Sequence, residues 1–106
     1  MASFDTAVLT AQTTSASSAA RPGPAKFCRA YAFGTFAGAT VTLQTRPFTS
    51  DGSAPWFDPV DLVFTANGAT DVFIAKDEEF RGTVTGATGS TSVSLRLVPL
   101  HGAVNA

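Results

Sequence analysis

Cysteine, methionine, tryptophan, tyrosine and histidine each occur once in these 106 residues, and each scarcity removes a class of protein. A single Cys28 excludes an internal disulfide framework and a multi-cysteine zinc site. Set in an apolar stretch with no basic cluster in sequence reach, it is expected to be buried and unmodified. A single His101 leaves no His/carboxylate set for a metal. No Gly-x-Ser-x-Gly turn is present either, and Gly86-Ala87-Thr88-Gly89-Ser90 lacks the lysine and following helix of a phosphate loop. No catalytic residue, metal ligand or cofactor site is therefore expected. Charge is sparse as well, with 14% charged residues and a net charge of -1. That is too little for a nucleic-acid partner bound by phosphate neutralisation, and it gives weak protection against self-association, so a surface covered by other subunits is expected. No apolar run approaches the ~20 residues that span a bilayer, and Met1 to Thr6 lacks the basic start and apolar core of a leader. The expectation is a soluble protein folded inside a cell, with no membrane partner.

What is abundant is threonine, with fifteen in the chain, beside a 44% apolar composition. The clearest element is Gly38 to Arg46, where Ala39, Val41 and Leu43 alternate with Thr40, Thr42 and Gln44 at the two-residue period of a half-buried strand. Gly86 to Leu97 repeats the pattern, opening again with Gly-Ala-Thr and placing Val93, Leu95 and Leu97 two apart. Phe27 to Phe36 is an aromatic-rich strand with neither face uniformly polar, in which Gly34 is expected to mark a bulge. About seven short strands at roughly 8 to 12-residue spacing, without helical periodicity, predict an all-β antiparallel β-sandwich, immunoglobulin-like or jelly-roll, with an extended N-terminal arm. One domain of this length buries roughly 65% of its unfolded surface.

The expected organisation is an arm over residues 1–25, a sandwich over 26–100 and a tail over 101–106. Thr13 to Pro24 is linker-like, because small polar residues bury too little to offset their ordering entropy and Pro22-Gly23-Pro24 blocks regular pairing. Such a segment either frays or orders on a neighbour through Phe4, Val8 and Leu9, and in both cases the domain folds without it.

Asn67-Gly68 predicts a two-residue hairpin turn with positive φ, joining Val60–Thr65 to Thr70–Ala75. Leu62 then lies opposite Phe73 and Val63 opposite Val72, with Val60, Leu62, Phe64 and Phe73 on the core face. Phe80–Thr85 and Thr91–Val98 form a second hairpin, its inward set being Phe80, Val84, Val93, Leu95 and Leu97. Lys76-Asp77-Glu78-Glu79 reads as a solvated turn. Trp56, framed by Pro55 and Pro59, is expected to pack over the end of the core with its indole N–H on a backbone acceptor, the other reading being a stacking platform. Candidate partner-binding residues are Phe4, Val8, Leu9, Trp56 and Phe57.

The succession Gly34-Thr35-Phe36-Ala37-Gly38-Ala39-Thr40-Val41-Thr42-Leu43-Gln44, Asp51-Gly52 before Trp56, Thr65-Ala66-Asn67-Gly68, and Phe80-Arg81-Gly82 running on to Val93 resembles the small β-sandwich virion proteins of tailed bacteriophages. The resemblance covers roughly residues 27 to 98, and Pro55 and Pro59 depart from its pattern. It implies a non-enzymatic structural protein made in the host cytoplasm and carried on the virion head surface. There it would act as a decoration or cement protein whose partners are the major capsid protein and copies of itself. The alternative is a tail or surface-fibre module that binds host carbohydrate, which would require Trp56, Tyr31 and Phe57 to be exposed together.

Overall fold

A computed structural model describes residues 6–100 of the chain. It contains β1 (Thr6–Gln12), β2 (Ala16–Ser17), β3 (Arg21–Pro22), β4 (Lys26–Thr35), β5 (Thr40–Pro47), a single 3₁₀ turn (Val60–Leu62), β6 (Val63–Phe64), β7 (Gly68–Ile74), β8 (Glu78–Thr85) and β9 (Ser92–Pro99). Two antiparallel sheets face each other, one in the order β1-β9-β4-β7 and the other β2-β8-β5-β6, with β3 also on β8. The chain changes sheet at nearly every connection: β1 lies in the first, β2 and β3 in the second, β4 in the first, β5 and β6 in the second, then β7, β8 and β9 alternate. With β2 and β3 taken as one interrupted strand, this is the strand order of an eight-stranded jelly roll. The all-β sandwich is therefore present, and of its two expected topologies the chain adopts the second.

The core is filled from both sheets by period-two alternation. Val41 and Leu43 of β5, Phe80 and Val84 of β8, and Val93, Leu95 and Leu97 of β9 are buried, as the apolar spacing of those strands requires. Cys28, Ala30 and Ala32 of β4 also face inward and are buried. Gly34 carries φ +126° while the β4–β9 register runs through it without a shift. It marks a close backbone approach and no bulge, since a Cβ there would stand 2.2 Å from the Ser92 carbonyl oxygen.

Three expectations are corrected. The N-terminal segment is sheet from Thr6: β1 pairs with β9, and β2 and β3 pair with β8. Between Ala7 and Leu9 the β1–β9 register gains one residue, a bulge that turns Val8 and Leu9 inward together, and both are buried in the core. The small polar residues that read as a linker serve as hydrogen-bonding partners along β8. Ser18 N–H donates to the Gly82 carbonyl at 2.8 Å, Gly82 N–H donates to Ser18 Oγ at 2.9 Å, and the Ser17 and Thr83 hydroxyls lie 2.6 Å apart.

Asn67-Gly68 forms no hairpin. β6 pairs with β5 in one sheet and β7 with β4 in the other, so residues 65–67 cross the sandwich. Neither Asn67 nor Gly68 has positive φ, and Asn67 Oδ1 instead accepts the Gly34 N–H at 3.0 Å. Leu62 and Phe64 reach the core with Ile74, whereas Val60 and Phe73 are exposed. The expected β8–β9 hairpin is likewise a crossing between sheets, closed by buried Thr91, whose hydroxyl donates to the Phe36 carbonyl at 3.0 Å. In the charged run, Lys76 and Asp77 are exposed, while Glu78 and Glu79 begin β8.

Candidate functional site

The two outer faces of the sandwich differ in kind. On the first sheet, alternation along β4 sends the small Cys28, Ala30 and Ala32 inward, which sends Phe27, Arg29, Tyr31 and Phe33 outward. Register then assembles them with their neighbours: Phe27 lies beside Phe73 and Arg29 beside Asp71 on β7. Across β9, Arg29 lies beside Val98, Tyr31 beside Arg96 and Phe33 beside Ser94. The Phe27 and Phe73 rings meet edge to face at 5.2 Å between centroids. Their exposures are 60% and 49%, with Phe33 at 41%, Tyr31 at 38% and Val98 at 36%. At 150–250 Å² per aromatic side chain, this leaves roughly 400 Å² of apolar side-chain surface in water. A patch of that size matches the largest apolar patch of a typical monomer, which is often functional.

One ion pair crosses the patch. Arg29 Nε donates to Asp71 Oδ1 at 2.6 Å and Nη2 to Oδ2 at 3.3 Å, the two-pronged geometry that suits guanidinium and carboxylate. The hydrogen bond from Arg29 holds the Asp71 carboxyl below its ordinary range, and the same bond raises the Arg29 guanidinium above its own. The pair is neutral as a unit, and Arg96 beside Tyr31 adds a cation to the same face.

The second sheet carries a polar outer face with a strap over it, and leaves Val63 of β6 and Phe57 of the strap exposed. Gln44 and Arg46 of β5 lie beside Arg81 and Glu79 of β8. Arg46 Nε donates to Glu79 Oε1 at 2.9 Å, Arg81 Nε donates to Gln44 Oε1 at 2.7 Å, and Gln44 Nε2 donates to Asp58 Oδ1 at 2.6 Å. The Trp56 ring sits 4.3 Å from the Arg46 guanidinium carbon and 4.5 Å from that of Arg81. Phe57 is tied by backbone to Thr45 in both directions, at 2.9 and 3.2 Å. Arg46 further holds the Gly52 and Ala54 carbonyls. The long connection between β5 and the 3₁₀ turn is thus pinned onto the sheet through residues of that connection itself.

The structure distributes the candidate partner-binding residues widely. Val8 and Leu9 are core residues and present no surface; Phe4 lies outside the described residues. Trp56 packs on the second sheet's outer face over two cations, away from the end of the core where it was expected. Phe57 is 55% exposed. Tyr31 is on the other sheet, so Trp56, Tyr31 and Phe57 do not form one aromatic surface. The aromatic face of the first sheet was missed in the sequence, although its signal is there: Phe-x-Arg-x-Tyr-x-Phe interleaved with Cys-x-Ala-x-Ala places the large residues on one side and the small ones on the other.

No family model matches the chain, and no similar curated protein or solved structure is found. Fold and surface therefore carry the functional argument. Among the described residues no group of three or more His, Cys, Asp or Glu side chains is placed to hold a metal ion, and no helix is long and apolar enough to cross a membrane. Cys28 is buried, and burial pushes its thiol above the ordinary range.

Proposed function

We propose that this chain is a non-enzymatic structural protein of a tailed-bacteriophage virion, a decoration or cement protein that reinforces the head lattice. The outer face of the β1-β9-β4-β7 sheet is its contact with the capsid protein. The observation that supports this reading most is the aromatic face itself: Phe27, Tyr31, Phe33, Phe73 and Val98 are held rigidly on strands and left in water by the chain's own fold. Rigid aromatic side chains lose little entropy on contact and are enriched at protein interfaces. The sequence resemblance over residues 27 to 98 gives the assembly. A jelly roll is found in capsid proteins and in lectins alike, so fold adds only an analogy.

The test is stoichiometry in purified virions carrying this chain, measured by quantitative mass spectrometry against the major capsid protein. A decoration protein occurs in a fixed ratio to capsid subunits, at high copy number. A few copies per particle would move the chain to the tail, and its absence from particles would end the virion reading.

A further inference from the structure

A sandwich of two open sheets has four edges, and three of these are guarded. β1 is interrupted by two register shifts. β2 and β3 are two residues each, with Pro22 in β3, and β6 is also two residues. Short strands, bulges and proline are the devices by which natural sheets prevent unwanted pairing. β7 has none of these: Gly68–Ile74 is seven residues long, pairs with β4 without a shift, and contains neither proline nor lysine; its one charge, which could also guard an edge, is Asp71, and Arg29 neutralises it.

The direction of its backbone groups follows from the ladder. Leu100 N–H donates to the Phe27 carbonyl at 2.9 Å from the β9 side, so odd-numbered residues of β4 point their polar groups at β9 and even-numbered ones at β7. The even pairs Lys26–Ile74, Cys28–Val72, Ala30–Thr70 and Ala32–Gly68 therefore carry the hydrogen bonds to β7. The N–H and C=O groups of Ala69, Asp71 and Phe73 point to the open side. Among the described residues no strand pairs with that edge.

We infer that the β7 edge binds the β7 edge of a second copy of this chain, antiparallel about a two-fold axis at Asp71, joining the two four-stranded sheets into one. This register sets Ala69 opposite Phe73 of the second copy and Asp71 opposite its equivalent. It pairs every outward backbone group in about six hydrogen bonds. A two-fold axis normal to the sheet keeps both aromatic faces on the same side, and each Phe73 ring, already against Phe27, gains a small Ala69 as its neighbour across the junction. The two Asp71 carboxylates approach one another, but each carries its own Arg29 at 2.6 Å, so the four charges sum to zero. Closed two-fold pairing also uses up both edges and stops growth at two copies. β7 is complementary to itself in this register, with small Ala69 opposite large Phe73 and each central Asp71 already neutralised by its own Arg29, and for that reason a second copy is the occupant. The inference concerns the purified chain in solution and does not rest on the virion reading.

Sedimentation velocity across a wide concentration range tests it. The wild-type chain is expected to pass reversibly from monomer to dimer. Ala69→Pro removes an N–H that β4 does not use and is expected to abolish the dimer with the circular dichroism spectrum unchanged. Phe73→Lys, at an exposed position, should do the same by guarding the edge, and it keeps the test decisive if the proline variant fails to fold. Under mild oxidation Asp71→Cys is expected to give a covalent dimer, because the two positions face each other across the axis. A wild-type chain that stays monomeric at every concentration overturns the inference. So does a dimer that survives both Ala69→Pro and Phe73→Lys.

Discussion

At the residue scale, Gly82 shows how closely the N-terminal segment is built into the domain. It occupies an inward position of β8 between Phe80 and Val84, and a Cβ placed on it would stand 2.9 Å from Val8 Cγ1 and 3.0 Å from Leu9 Cδ1. The missing side chain of β8 is thus replaced by two side chains from β1. Gly82→Val distinguishes this packing from a detached arm by the sign of its effect. With β1 absent from that site, valine in a strand gains stability over glycine, by up to about 1 kcal/mol. With Val8 and Leu9 in place, overpacking is expected to cost about 1–3 kcal/mol, read as a lower urea midpoint at unchanged slope. Trp56 is the counterpart on the outside. Its position depends on two cations from neighbouring strands, and neither Arg46 nor Arg81 announces that role in sequence.

At the scale of elements, β5, β8 and β9 were legible and their partners were not. β5, β8 and β9 could be read because Val41 and Leu43, Phe80 and Val84, and Val93, Leu95 and Leu97 keep a strict period of two, and every one of these is buried. Turn chemistry misled, since a glycine-containing loop between two strands looks the same whether it returns within one sheet or crosses to the other. Asn67 illustrates the point: its side chain serves the Gly34 amide and forms no turn of its own. β1 reads as an arm because a bulge breaks its alternation at Val8 and Leu9, β2 because the hydroxyl residues around it trade solvent for hydrogen bonds along β8, and β3 because Pro22-Gly23-Pro24 looks like a block to pairing. A consequence is the expectation that removing residues 1–24 unfolds the domain. Burial of Val8 and Leu9 contributes about 1.5–3 kcal/mol each, before the exposed edges of β8 and β9 are counted, against a total of about 5–15 kcal/mol for a typical domain. The truncated chain is expected to lack a cooperative thermal transition, and Leu9→Ala alone is expected to lower stability by about 2–5 kcal/mol. A truncated domain that melts within a few degrees of the full chain would restore the free-arm picture.

At the scale of the whole molecule, the two outer faces divide stability from contact, and that division can be measured. The second sheet's face is a closed network in which Trp56, Arg46, Glu79, Gln44, Arg81 and Asp58 bind one another, so its polar groups are already occupied within the chain. The first sheet's face ends in Tyr31 and Phe33, exposed by 38% and 41% and lying outside the core. Replacing both by serine removes apolar area that is about three-fifths covered in the isolated domain, at about 1–2 kcal/mol each, and the melting temperature should fall by roughly ten degrees with the domain still folded. Were that face the contact with a shell, the same change would strip aromatic anchors from the interface at about 1–2 kcal/mol or more each, and occupancy on particles would fall steeply. Trp56→Ala should differ in occupancy. It removes two cation–π contacts worth about 0.5–1 kcal/mol each and frees the strap over β5, lowering the melting temperature while leaving occupancy intact wherever the protein remains folded. Measuring both quantities for both variants separates the faces. If Tyr31 and Phe33 prove dispensable for attachment while Trp56 proves necessary, the contact surface lies on the second sheet, and the aromatic face of the first is left to self-association.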